Sequence, residues 1–150
     1  ARGAGKDMLD RMHDLMTAIH GRMTFDTAST NVHTSAGEAW QQGRGVCQDY
    51  AHVFIAAARC AGVPARFVSG HFFRADGVTD QAAGHAWAEA YIDELGWVGF
   101  DPANECCPDD RYVRLGSGLD TREAAPIRGS ARSNGAESLN VTVAVLATQQ

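Results

Sequence analysis

The chain has 150 residues, 45% hydrophobic and 21% charged, the proportions of an ordinary globular protein with chain enough for one core and too little for two. A formal charge of −5 with 13 Lys plus Arg, none of them in a run, excludes a general nucleic-acid or anionic-membrane surface, which needs clustered positive charge. No stretch reaches the roughly 20 apolar residues of a membrane-spanning helix, and the N-terminus lacks the apolar core of a signal peptide.

From Asp7 to Met23, Met8, Leu9, Met12, Leu15, Met16, Ile19 and Met23 recur at spacings of three and four, the stripe of an amphipathic helix whose methionines are core packing. Thr24 to Thr34 reads as a loop. Ser35 and Glu38 have the Ser-x-x-Glu spacing of a capping box and open a second, short helix that stops near Gly43. A third helix follows, with Cys47, Tyr50, Ala51, Phe54, Ile55 and Ala58 on one stripe and Gly62 and Pro64 as stop signals. Beyond Pro64, the segments Phe67–Phe73, His85–Ile92 and Trp97–Asp101 read as strands separated by loops containing Gly77 and Gly96. His85 to Ile92 alternates large and small side chains, so its two faces meet different partners. Cys106 to Gly135 is polar and Gly-rich with little periodicity, and Leu139–Val145 alternates like a closing strand. Helices followed by a sheet packed on them give an α+β domain over residues 1–150.

The informative position is Cys47. A free thiol with a pKa near 8.5 is only a few per cent thiolate at neutral pH, so a nucleophilic cysteine needs a device that favours the charged form. A helix N-terminus supplies about half a positive charge, and a nearby imidazolium supplies a whole one. Cys47 sits in the first turn of its helix, after a Gly43-Arg44-Gly45 segment that lets the backbone turn sharply and leaves space for a substrate carbonyl. Its own N–H is placed to serve as an oxyanion donor. His85 begins the best-defined strand and is the candidate imidazole. The Tyr91–Trp97 hairpin returns Asp101 opposite Ala86 to Ala88, roughly 3 to 10 Å along the strand from His85.

Gly43-Arg44-Gly45-Val46-Cys47-Gln48-Asp49-Tyr50-Ala51-His52, Gly62-Val63-Pro64-Ala65-Arg66, His85-Ala86-Trp87 and Gly96-Trp97-Val98-Gly99-Phe100-Asp101-Pro102 together resemble a bacterial transglutaminase-like domain. Arg114 to Gly129, with Asp120, Pro126, Arg128 and Gly129, resembles the family's tail. The resemblance implies a papain-related α+β fold, with Cys47 as nucleophile, His85 as base and acid, and Asp101 as its orienter. It implies no cofactor and no metal, and a protein or peptide as substrate. Family members often carry a β-rich domain ahead of this one, and a chain that starts at Ala1 and not Met reads as a piece of a longer protein.

The expected reaction is attack on a carboxamide or peptide bond through a thioester, resolved by water in a cysteine protease or hydrolase. The expectation of water rests on 150 residues leaving little chain for a tunnel that would favour an amine. Two other readings stand beside it: a protein cross-linking transglutaminase, and a non-catalytic binding or scaffold module. The remaining residues have plainer expectations. Cys60 reads as a small buried hydrophobe, and Cys106-Cys107 lack the partners of a metal site, so a reducing, cytoplasmic setting is expected. His13, His20, His33 and His52 read as surface or packing residues, with His71 a candidate to line a cleft. Trp87 and Trp97 read as core or cleft-wall aromatics, Asp49 as a helix-end support, and Glu89 as an ion-pair partner of Arg66 or Arg128. Trp40, Gln41 and Gln42 are open candidates for a second oxyanion donor.

Overall fold

A computed structural model describes residues 4–73, 80–81, 84–127, 129, 134–135 and 142–146. Three helices, α1 (Ala4–Arg22), α2 (Ala36–Gln42) and α3 (Cys47–Cys60), accompany the strands β1 (Thr24–Phe25), β2 (Arg44–Gly45), β3 (Ala65–Phe72), β4 (Asp80–Gln81), β5 (His85–Ile92), β6 (Gly96–Phe100), β7 (Tyr112–Gly118) and β8 (Val143–Ala144). The main sheet runs β6-β5-β3-β7 and is antiparallel throughout.

The helices form where the apolar spacing placed them. Met12, Met16 and Ile19 are buried along one side of α1, with Met23 just past its end, and Tyr50, Ala51, Phe54, Ile55 and Ala58 along one side of α3. Ser35 and Glu38 close the capping box of α2, which ends at Gly43 in the left-handed region with φ 67°. Cys60 departs from its expected burial and is exposed. At about 100° per residue, position 60 lies far round the helix from Ala58, off the buried stripe. All four cysteines are free thiols.

The strict alternation in β5 produces a two-faced sheet. Ala86, Ala88, Ala90 and Ile92, with Ala65 and Phe67 of β3 and Phe100 of β6, join the helical core. Alanine at successive inward positions lets α3 lie close to the strand, and Phe54 stacks on Phe100 with ring centroids 5.1 Å apart. The core-facing Phe54 is fully buried, which favours the fold by about 2 to 3 kcal/mol. His85, Trp87, Glu89 and Tyr91 are the alternate positions of the strand.

Two parts of the chain differ from their expected structure. Residues 112–118 form β7, antiparallel to β3, inside a stretch that shows no strand periodicity. Its glycines mask the pattern: a Cβ on Gly116 would lie 2.6 Å from the Ala124 carbonyl, and one on Gly118 2.3 Å from the Glu123 Cβ. The strand is glycine-rich because the following turn packs directly on its backbone. The second difference is in the expected loop, where Thr24–Phe25 pairs in parallel with Arg44–Gly45. In the closing strand, Gln81 and Asp80 pair with Val143 and Ala144; residues 136–141, like Gly77, lie outside the described residues.

Candidate active site

Cys47 is the first residue of α3, and the chain before it is held from two sides. Thr24 N–H donates to the Gly43 carbonyl and Asp26 N–H to the Gly45 carbonyl, both at 2.9 Å. Asp49 Oδ2 accepts the Val46 N–H at 2.9 Å and the Thr30 hydroxyl at 2.6 Å. Asp49 is therefore the support of the helix start that its position suggested, and it is buried. Glycine is required at position 45 because a Cβ there would sit 2.6 Å from the Asp49 Cβ.

The hairpin between β5 and β6 pairs Ala88 with Phe100, so Asp101 falls one pair beyond, across from Trp87. His85 Nε2 is 2.6 Å from Asp101 Oδ2. Cys47 is close enough to His85 to favour its protonated form, and with Nε2 engaged by the carboxylate the ring nitrogen left for it is Nδ1. Asp101 thus meets His85 through a short contact, and Cys47 begins the helix that packs on the strand carrying His85. His85 is 9% exposed and Asp101 0%, so water competes little for either bond.

Burial by itself disfavours an imidazolium, but the hydrogen bonds and negative charge of Asp101 and Cys47 outweigh it and raise His85 from 6.5 to about 9. Burial likewise works against the Asp101 carboxylate, and the His85 hydrogen bond and charge, then hydrogen bonds from Asn104 and Tyr112, hold it below its ordinary 3.8. The pair therefore links folding to pH. The folded state holds the His85 proton more tightly than the unfolded chain, so that contribution is complete below pH 6.5 and is lost as pH rises through about 9. The Asp101 contribution is present above pH 3.8 and is lost as pH falls through its lower folded value. The urea midpoint of the natural chain minus that of Asp101→Asn is expected to be largest between about pH 4 and 6.5 and to shrink towards pH 9; a difference that grows with alkalinity would contradict the charged pair.

Two residues missed in sequence complete the site. Asn104 Nδ2 donates to Asp101 Oδ2 at 2.8 Å and Tyr112 Oη donates to the same oxygen at 2.7 Å. Asn104 had a local signal, since Asn three residues beyond an Asp is placed to fold back on it in a tight turn. Tyr112 had none, because β7 had none. Aromatic rings enclose the imidazole: Phe72 edge-on at 5.0 Å, Trp87 at 5.9 Å and Tyr112 at 5.9 Å.

The remaining candidates have these surroundings. Trp97 is 40% exposed, packs against Tyr91 and carries the Arg66 guanidinium over its ring at 4.0 Å. Glu89 pairs with Arg66 at 3.0 Å and also with Arg114 at 3.1 Å; Arg128 lies outside the described residues. Arg22 covers the Trp40 ring at 4.3 Å, and Gln41 and Gln42 are exposed. His71 is buried on β3, beside the Gly70 that pairs with His85. His13 packs on Phe100, His20 bonds the Pro102 carbonyl, and His52 bonds Thr121. Among the described residues no cluster of His, Cys, Asp and Glu is arranged to hold a metal, and no helix is long and apolar enough to cross a membrane.

The chain is similar in sequence and fold to known proteins. Residues 1–102 match the transglutaminase-like superfamily, a span that includes Cys47, His85 and Asp101. An uncharacterized protein of Mycobacterium leprae is 35% identical over 128 residues, covering 83% of this chain and 45% of its own length. The crystal structure of a candidate cysteine protease from Cytophaga hutchinsonii superposes with a TM-score of 0.69 at 31% identity, over 78% of this chain and 38% of that one. A protein-glutamine gamma-glutamyltransferase of Pseudomonas aeruginosa is 33% identical over 82 residues, 51% of this chain and 12% of that protein. The chain spans about half the length of the mycobacterial relatives it matches.

Proposed function

The chain belongs to the transglutaminase-like superfamily, and on that footing we propose that it is a cysteine hydrolase acting on a carboxamide or peptide bond of a protein or peptide, with Cys47, His85 and Asp101 as its triad. The observation that carries this reading is the 2.6 Å contact between His85 and a fully buried Asp101, with Cys47 close enough to favour the imidazolium. The Cys47 thiolate attacks the carbonyl carbon, and the pair of electrons displaced onto oxygen is met by the N–H of Cys47 at the start of α3. As the C–N bond breaks, the His85 Nδ1 proton passes to the departing amine and a thioester remains. His85 then takes a proton from water as it attacks the thioester, and the acid and the thiol are released. Asp101 holds the ring in one tautomer throughout.

Hydrolysis is favoured by the Cytophaga hutchinsonii neighbour, a candidate cysteine protease. The Pseudomonas aeruginosa relative favours the cross-linking alternative, over about half of this chain. One experiment separates them. Brief iodoacetamide treatment is expected to label Cys47 ahead of Cys60, Cys106 and Cys107, and a preformed acyl-Cys47 thioester is expected to partition to water when a primary amine is present at about 1 mM. Predominant aminolysis at that concentration supports the transferase. Equal labelling of the four cysteines, or acyl capture that survives Cys47→Ala, would sink both enzymatic readings in favour of a non-catalytic module.

A further inference from the structure

Asp101 Oδ2 accepts three hydrogen bonds, from His85 on β5, from Tyr112 on β7 and from Asn104 in the turn that follows β6, at 2.6, 2.7 and 2.8 Å. Its other oxygen meets the Asn104 N–H at the longer distance of 3.4 Å. A carboxylate oxygen has two lone pairs, so three donors converging on Oδ2 must share them, and they reach it from three separate elements. Carboxylate rotation about its terminal bond is otherwise soft. The turn itself is closed by Asp101 N–H to the Cys106 carbonyl at 2.8 Å and Asn104 N–H to the Asp101 carbonyl at 3.2 Å, so Asn104 is tied to Asp101 through backbone and side chain together.

We propose that Tyr112 and Asn104 are positioning residues of the triad, which stop the Asp101 carboxylate from rotating and temper its pull on His85 by sharing the same oxygen. The inference rests on the reading of Cys47, His85 and Asp101 given above and adds two residues that lie beyond the 1–102 span of the family match. Neither is assigned contact with the sulfur or the substrate; Tyr112 acts through Asp101, and Asn104, whose Nδ2 also lies 3.4 Å from His85 Nε2, acts on the His85–Asp101 pair from the turn.

The arrangement fixes the direction of the effect. Each donor to Oδ2 spreads its negative charge, and removing one concentrates that charge on the His85 proton. His85 then holds its proton to higher pH, while the ring is aimed less well. Among the described residues, the groups near the pair come from five elements. α3 contributes Cys47, β7 contributes Tyr112, and behind it Cys106 Sγ lies 3.3 Å from the phenol oxygen. The single Tyr112 proton goes to Asp101, so the bond with Cys106 uses the thiol hydrogen. β3 contributes His71; Glu89, further along β5, is neutralised by Arg66 and Arg114. α1 contributes His20, which faces Glu105 at 3.6 Å at the far side of the turn.

The test compares Tyr112→Phe and Asn104→Ala with the natural chain, and uses Tyr91→Phe as a control that removes the same hydroxyl from an exposed position of β5. The His85 imidazole is titrated by nitrogen-15 NMR, and kcat and KM are measured for the hydrolysed substrate. In Tyr112→Phe and Asn104→Ala the His85 midpoint is expected to move upward from about 9, with kcat down about tenfold and KM unchanged. Tyr91→Phe is expected to match the natural chain. A midpoint in Tyr112→Phe that stays put or moves down overturns the proposal, as does a change in KM alone; should either variant fail to fold, the other decides by the same criterion. Because the titration needs no turnover, the two readings fail separately. A raised midpoint in a chain that hydrolyses nothing supports the positioning roles and removes the hydrolase, and an unmoved midpoint in an active chain does the reverse.

Discussion

Asp101→Asn is expected to leave the chain folded and to lower kcat by roughly three to four orders of magnitude. The amide is nearly the same size, so packing in the buried pocket survives. Its charge does not, and charge is what keeps a proton on an imidazole that burial disfavours. If the amide oxygen takes the Oδ2 position, it still accepts from His85 but no longer stabilises the cation. If the amide nitrogen takes it, three donors face a fourth, since His85, Tyr112 and Asn104 all converge there. In both orientations the alkaline limb of the kcat profile moves to lower pH from about 9. The measurements are the pH profile and a urea curve. Turnover within about tenfold of the natural chain, with the limb unmoved, would take Asp101 out of the mechanism.

Gly70→Ala is expected to be the most damaging of the small substitutions, lowering stability by about 3 kcal/mol, the upper part of the usual range for overpacking. A Cβ there would lie 2.0 Å from the Val113 carbonyl oxygen and 2.7 Å from Trp87 Cη2. The indole could tilt; the carbonyl belongs to β7 and cannot withdraw without loosening the β3–β7 ladder, whose register shifts between Ser69 and Gly70. Since β7 carries Tyr112, activity is expected to fall along with the urea midpoint. Gly37→Ala is the control. It lies inside α2 with nothing within 4 Å of its Cβ, where alanine favours the helix by up to about 1 kcal/mol. A Gly70→Ala chain as stable as Gly37→Ala would mean that the β3–β7 approach is looser than described.

What was legible in sequence was whatever rests on local periodicity or on a local motif. The stripe through Tyr50, Ala51, Phe54, Ile55 and Ala58 predicted both α3 and its buried side, and Ser35 with Glu38 predicted the start of α2, because helix faces and caps are set within a few residues. The register of the β5–β6 hairpin followed from its turn, which is why Asp101 could be placed near His85 from strand rise alone. Cys47 could be placed at a helix N-terminus, but how near its thiol comes to His85 depends on how closely α3 lies on the alanines of β5, a property of the packed pair. The tertiary structure alone decided β7, whose glycines answer to the turn packed against them and not to their own strand preference. With β7 came Tyr112, brought to Asp101 through the long-range β3–β7 pairing. The same holds for the second partner of Glu89: Arg66 is its cross-strand neighbour, whereas Arg114 reaches it from β7. Neighbours along the chain wrote their pattern into the sequence, and neighbours across the sheet did so only where a turn fixed the register, because pairing between distant segments is selected by the packing of both and leaves no period in either.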